Sequence, residues 1–566
     1  MPSRSDLGVP KSHAEWVFWV AGALLFLHAV LAWLLRTPTI LTGQDDAAYY
    51  LLAQGLRDLR YVDLWIAKEP VHIQYPPGYP ALLALLAVVG GDRYDLYLGF
   101  NTLCSVATLA IVFWAVARLW RPTVALACLA AVSFNPYFLL MPGELRPEAT
   151  FAFLAAATLG LTLIENRGWR TAFLIGVSGV VGALFRVPGL ALPVAVVLSW
   201  VRERKLKAAV ILAAVSAGTA GAWFWWTLHA PEQFVGASYG ADLAWGRYQD
   251  TGSLLPVLLS RIARNLLEYG AAIVPQTLML PAIPGTPVDN LVIGGTAVVG
   301  LGAGMLVFWR RWSAAALFVL GYGAIVAVWP WRSERYLFPL IPLLAAALLG
   351  GLHQVVGSMR GRLATPAVLL VAGVMAVQGA TQTTGVLRSI LRCRSTGTLS
   401  TSTCLTPDAR DFFAVLEFVG RETPEDAILF TSKPEPAFVY AGRKTVARAA
   451  MVAALARDTS ASLTPLRDAG VTYVLLAHVA STDQGIFREI ERRCSLVTVV
   501  ARFGRRTYLF AVGRESATAA PDGCSALDEY RRNATDPGSG QFAPYFRSWP
   551  PSDFHPPAAQ DDSRAS

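Results

Sequence analysis

The sequence predicts a polytopic all-α membrane domain, of about eleven transmembrane helices, followed by a small extracytoplasmic α/β domain. Three observations carry that expectation. Of 566 residues, 54% are hydrophobic and 15% charged, whereas an ordinary soluble domain carries roughly 25% charged residues. Apolar runs recur from Val17 to Val377, many near the roughly 20 residues a helix needs to cross about 30 Å of hydrocarbon. The last third of the chain is polar and mixed in pattern. The runs are continuous rather than alternating, which favours helices over a closed barrel.

Residues 1–14 read as a cytoplasmic amino terminus. The first run, 15–35, is longer than the apolar core of a secretory signal and lacks a small-x-small cleavage site before Arg36, so it reads as a retained span. Further spans fall at 96–118, 122–141, 147–164, 171–185, 188–200, 207–228, 290–309, 313–329, 335–350 and 364–384. Between 171 and 200 the segment Phe185-Arg186-Val187-Pro188-Gly189 interrupts the apolar pattern as a re-entrant turn or short hairpin. Proline ends a helix, and an arginine at membrane depth needs a polar lining.

The basic loops set the orientation. Arg118 and Arg121, Arg167 and Arg170, the cluster Arg202 to Lys207, Arg310 and Arg311, and Arg360 and Arg362 all fall on one side of the spans. Enrichment of basic residues in cytoplasmic loops places that side and the amino terminus inside, and the carboxyl-terminal tail outside. The formal charge of +9 is therefore a topology signal, and nucleic-acid binding is not expected. The expected setting is a bacterial-type cytoplasmic (inner) membrane, with a membrane domain over 15–385 and long outer loops at 36–95 and 229–289.

Within those loops, Asp45 to Leu59 reads as an interfacial helix, Pro80 to Val89 as a segment too short to cross, and Ser253 to Ile273 as amphipathic. In the tail, Ala409 to Gly420 reads as an amphipathic helix preceded by a Thr406-Pro407-Asp408 start signal. Strands are expected at 427–431, 471–477, 497–503 and 507–512, with helices at 446–457, 460–469 and 484–492 between them. This gives an α/β domain over 400–515, and a Pro-, Ser-, Asp- and Ala-rich stretch, 516–566, expected to be poorly ordered. Cys104 and Cys128 lie in apolar runs as small hydrophobes. Cys393 with Cys404, and Cys494 with Cys524, are candidate disulfides for an oxidising compartment.

Polar clusters concentrate in the expected outer loops. The first is Thr42-Gly43-Gln44-Asp45-Asp46 with Tyr49, which either caps a helix or places a carboxylate to remove a proton from a hydroxyl. The second runs from Lys68-Glu69-Pro70 through His72 to Gln74-Tyr75-Pro76-Pro77-Gly78-Tyr79-Pro80. It is either a rigid turn or the aromatic and charged lining of a cleft, with Glu69 and His72 as a sparse pair of cation ligands. No CxxC or HExxH spacing occurs, and metal dependence stays open. The third is Glu144-Leu145-Arg146-Pro147-Glu148, and the fourth Arg332-Ser333-Glu334-Arg335-Tyr336. With Arg186, the arginines of the fourth cluster suit a lipid-linked phosphate, because a guanidinium fork matches phosphate oxygens. The bland alternative for them is surface ion pairing or snorkelling.

In order and spacing these segments, together with Arg335-Tyr336-Leu337-Phe338-Pro339-Leu340-Ile341-Pro342, resemble the GT-C superfamily of integral membrane glycosyltransferases. The lineage is the one containing protein O-mannosyltransferases, the lipid A aminoarabinose transferase and lipopolysaccharide core transferases, and the resemblance covers about residues 15–350. It implies an inverting transferase using a polyprenyl-phosphate sugar, with a glycan, lipid or protein acceptor and an acid of the first outer loop as base, here Asp45 or Asp46. Arg335 matches the basic residue before tyrosine and becomes the foremost phosphate contact, with Arg332 and Arg186 beside it. Tyr49, Glu69, His72, Tyr75, Tyr79, Glu144, Glu148 and Tyr336 become candidate substrate contacts. Some relatives carry Glu-Lys-Pro-Pro where this chain has Lys68-Glu69-Pro70, a departure at Glu69. A secondary transporter or flippase of a lipid-linked sugar is the competing class; it calls for repeated halves with broken midplane helices, and no such repeat is visible.

Overall fold

The computed structural model describes residues 11–37, 39–40, 45–164, 169–229, 254–280, 287–330, 332–393, 405–479, 483–513 and 523–534. Each apolar run of the sequence falls on helical chain. Five helical segments are long and apolar enough to cross a membrane: Glu15–Leu34, Tyr94–Leu119, Leu206–His229, Glu334–Met359 and Gly361–Leu391. A sixth is a pair, Pro122–Ser133 and Pro136–Gly143, bent by 67°. Shorter apolar helices include Glu148–Leu161, Trp169–Phe185, Val187–Arg202 and Ser313–Val328. The chain is a multi-pass membrane protein whose helices bury a large apolar core, with a smaller separate cluster around Ile175, Val196 and Trp200.

The breaks between helices position the polar residues. At the 67° bend, Asn135 caps the following turn by accepting from the amides of Tyr137 and Phe138, and donates Nδ2 to the Thr277 carbonyl at 2.6 Å. Proline at 136 has no amide to continue the first helix, so the chain turns and carries Glu144–Glu148 back under the first loop. Arg186 follows the helix Trp169–Phe185 in extended conformation, before a 3-10 turn at Val187–Leu190 containing Pro188. Ser333 caps the turn Glu334–Leu340 by accepting from the Arg335 amide at 3.2 Å.

The first loop holds the helix Asp46–Arg57, with Asp46 in its first turn, and the helix Gly78–Gly90. The amphipathic segment forms the helix Leu254–Glu268 and a π-turn over Tyr269–Ile273. Thr42 to Gln44 and Cys404 lie outside the described residues, and with Cys404 the expected Cys393–Cys404 pairing.

The tail contains a five-stranded sheet in the order β2-β1-β3-β5-β4, with β1 Ile428–Phe430, β2 Lys444–Thr445, β3 Tyr473–Ala477, β4 Val497–Phe503 and β5 Thr507–Val512. β1 pairs in parallel with β2 and β3, while β5 pairs antiparallel with β3 and β4. The helix Pro407–Glu422 begins at a Thr406 cap, whose side chain accepts from the Ala409 amide. Phe412, Phe413 and Leu416 of that helix share an apolar cluster with Ala32, Leu35, Leu139 and Leu140 of the membrane helices, so the tail packs directly on the membrane domain. A helix at Gly523–Ala534 lies within the stretch whose composition pointed to poor order. Leu527 and Tyr530 are buried against the sheet core, and Cys524 is bonded to Cys494. Burial of two large side chains and a covalent tie outweigh the polar composition of that segment.

Candidate active site

Four chain breaks converge on one cleft of about 200 Å³, lined by Asp45 and Tyr49, Gln74 to Pro76, Phe185 to Pro188, and Trp329, Arg335 and Tyr336. Arg335 is its hub. The guanidinium donates from Nη2 to Asp45 Oδ2 at 2.7 Å and from Nε to Glu148 Oε1 at 2.6 Å. Arg186 Nη2 lies 3.5 Å from the same Glu148 oxygen. Arg186 Nη1 and Glu148 Oε2 are buried without a hydrogen-bond partner, which leaves a donor and an acceptor at the cleft unsatisfied by protein.

The aspartate doublet divides. The Asp45 side chain is 30% exposed and faces the cleft, whereas that of Asp46 is 2% exposed. Asp46 accepts from the Leu145 amide at 3.1 Å and from Arg146 Nε at 3.3 Å. Arg146 Nε also lies 2.9 Å from Glu144 Oε2. Burial raises the Asp45 carboxyl, but Arg335 and Arg146 pull it down further, to about 2. Asp46 is shifted the other way, pushed up by burial despite Arg146, and Glu144 is pushed up to about 7 by burial with Asp46 nearby.

Aromatic rings form one wall. Tyr49 lies 4.7 Å from Tyr75 and 5.2 Å, edge-on, from Tyr79, between ring centroids. Tyr79 is fully buried behind that wall, where Asn101 donates to its hydroxyl at 3.0 Å and to the Glu144 carbonyl at 3.0 Å.

The structure gathers Asp45, Tyr49, Tyr75, Arg186, Arg335 and Tyr336 on the cleft surface, with Asp46, Tyr79, Glu144 and Glu148 in the layer beneath. It sets three other candidates apart. Glu69 pairs with Arg60 and, at 2.7 Å, with Lys444 of β2, so it joins the first loop to the tail. His72 is buried; Nδ1 lies 2.5 Å from Asp63 Oδ1 and Nε2 accepts from the Tyr75 amide at 2.8 Å. Both its ring nitrogens are engaged in holding the turn that carries Tyr75. Arg332 pairs with Glu268 of the amphipathic helix. Among the described residues, no three His, Cys, Asp or Glu side chains converge to hold a metal ion.

Sequence reasoning missed Asn101, whose place in an apolar run was the available signal, since a polar residue at membrane depth needs partners. It also missed Lys433 and Glu435, which begin the helix Pro434–Ala441 and lie within electrostatic reach of Asp45. Nothing local marks them, because tertiary packing alone brings that helix onto Asp46–Arg57: Tyr440 reaches Thr39 Oγ1 at 2.9 Å and donates to the Ile40 carbonyl.

No protein-family model matches the chain, and no curated protein matches its sequence. Solved structures do match in fold. ArnT from Cupriavidus metallidurans, bound to undecaprenyl phosphate, is 14% identical, with 88% of this chain and 98% of that chain covered and a TM-score of 0.53. The archaeal oligosaccharyltransferase AglB from Archaeoglobus fulgidus, in complex with an inhibitory peptide and a dolichol phosphate, is 13% identical, with 90% and 77% covered and a TM-score of 0.52. Over nearly nine-tenths of its length, this chain has the fold of those two proteins.

Proposed function

We propose that the protein is an inverting glycosyltransferase that moves a sugar from a polyprenyl-phosphate carrier to a hydroxyl of a cell-envelope glycan, lipid or protein at the outer membrane face. The observation that carries this reading is the direct pairing of Asp45 with Arg335, at 2.7 Å, within one aromatic-walled cleft. The fold shared with proteins solved in complex with undecaprenyl phosphate and dolichol phosphate supports the lipid carrier.

Asp45 is the group that reaches an incoming hydroxyl, because Asp46 is sealed beneath it. As the acceptor oxygen attacks the anomeric carbon, Asp45 takes its proton, and the bond from that carbon to the phosphate oxygen breaks on the opposite face. The configuration inverts. Arg335 and the unsatisfied Nη1 of Arg186 offset charge on the leaving phosphate. A carboxylate held near pKa 2 is a weak base. A phosphate that draws Arg335 away from Asp45 restores basicity to the carboxylate when the donor is present.

The test is sugar transfer by purified protein in lipid nanodiscs, with a panel of radiolabelled polyprenyl-phosphate sugars and membrane glycan extract. Asp45→Asn is expected to lower turnover by about 100-fold or more while the protein stays folded, and Asp46→Asn to act mainly on stability. Absence of product from every donor, alongside movement of donor or solute across vesicles, would replace the enzyme by a transporter.

A further inference from the structure

Beneath the cleft, four carboxylates (Asp45, Asp46, Glu144 and Glu148) meet three guanidiniums (Arg146, Arg186 and Arg335) through contacts of 2.6 to 3.5 Å. With every group ionised, the cluster would carry one uncompensated negative charge in a water-poor site, which costs several kcal/mol or more. The excess sits at one place. Asp46 and Glu144 both approach the same nitrogen, Arg146 Nε, at 3.3 and 2.9 Å. Two carboxylates sharing one cation at short range do not both ionise readily. Lys433 and Glu435, which lie within electrostatic reach of Asp45, carry opposite charges that offset one another.

We propose that Asp46 and Glu144 retain one proton between them at neutral pH, carried on Glu144, and that this neutral acid is a positioning residue for the Arg146–Asp46 contact beneath Asp45. The hydrogen bonds choose the carrier. Asp46 accepts from the Leu145 amide and from Arg146, both of which favour its anion, whereas buried Glu144 Oε2, although 2.9 Å from Arg146 Nε, accepts no hydrogen bond. The groups facing Glu144 are Asp46 from the helix Asp46–Arg57, Arg146 and Glu148 on its own segment, Arg335 from the turn Glu334–Leu340, and the Tyr94 hydroxyl from the helix Tyr94–Leu119. The upward shift of Glu144 to about 7, caused first by burial, agrees in direction. A folded-state value above the ordinary one gives stabilisation that is complete below the unfolded value and is lost as pH rises through about 7.

The inference concerns the resting protein, so its test needs no sugar donor and does not stand or fall with the transfer reaction. Infrared difference spectra of the full chain in nanodiscs, titrated from about pH 5 to about pH 9, read the carbonyl stretch of a protonated carboxylic acid, while thermal unfolding follows the same titration. The wild type is expected to lose that band, and to unfold at lower temperature, as pH crosses neutrality. Glu144→Gln, which is permanently neutral, is expected to lack the band and to flatten that pH dependence. Asp46→Asn, which removes the competing carboxylate, is expected to move the loss of the band to lower pH. A wild-type spectrum without the band at about pH 6, or a band that both variants leave unchanged, overturns the proposal.

Discussion

At Asp45 and Asp46, one step along the chain separates a side chain open to the cleft from one sealed by Leu145 and Arg146. The doublet was legible as a candidate; the choice within it was not, because it depends on which face of the first turn meets the Glu144–Glu148 segment. The same limit applies to Glu69 and His72. Their types and spacing suit ligands, yet the fold uses them to tie Lys444 and to brace the Tyr75 turn. Glu69→Gln is therefore expected to leave half-saturation by the donor within about twofold, since its pairs are partly exposed and such pairs contribute about 0–1 kcal/mol. A tenfold rise would return Glu69 to the cleft. Arg335→Lys is expected to act in the opposite way. An ammonium cannot reproduce the fork that spans Asp45 and Glu148, so binding of polyprenyl phosphate, read by isothermal titration, is expected to weaken by about tenfold or more.

Among the elements, the long apolar helices were legible because hydropathy alone requires them. Their mutual packing was not. A Cβ at Gly351 would lie 1.9 Å from the Gly300 carbonyl oxygen, and one at Gly304 would lie 1.9 Å from that of Ala347. The helices Pro287–Arg311 and Ile341–Met359 thus meet backbone to backbone, as small residues allow in a bilayer. Gly351→Ala is expected to lower the thermal unfolding midpoint in detergent, at a cost of about 1–3 kcal/mol from overpacking. Gly302→Ala, on the facing helix Pro287–Arg311, meets nothing within 4 Å and serves as the control, with no loss expected. Equal effects at both positions would mean that helix propensity, not close approach, governs this pair. The two-residue β2 and the helix Pro434–Ala441 escaped sequence reading for a related reason: strand periodicity needs several alternations to register, and β2 owes its place to its neighbours.

Across the whole molecule, those neighbours include the first loop. Ile66 forms a parallel bridge with Thr445, whose amide donates to the Trp65 carbonyl at 2.8 Å and whose hydroxyl donates to the same oxygen at 2.9 Å. From there the loop folds back through the Val62 and Val71 bridge to His72, which accepts from the amide of Tyr75 on the cleft wall. A continuous set of bonds thus runs from the edge of the tail sheet to the candidate active site. Thr445→Pro tests whether that edge holds the wall in place. Proline removes the amide and hydroxyl that reach Trp65, while the bond of β2 to β1 through the Val446 amide and the Leu429 carbonyl does not involve the amide of residue 445. Hydrogen exchange is expected to quicken by about tenfold or more across residues 62–75, with slow exchange retained in β3 and β5. If the wall is held by its own turn and by His72 alone, exchange will quicken only at residues 65–67, and the tail will prove to be a lid whose attachment does not reach the chemistry.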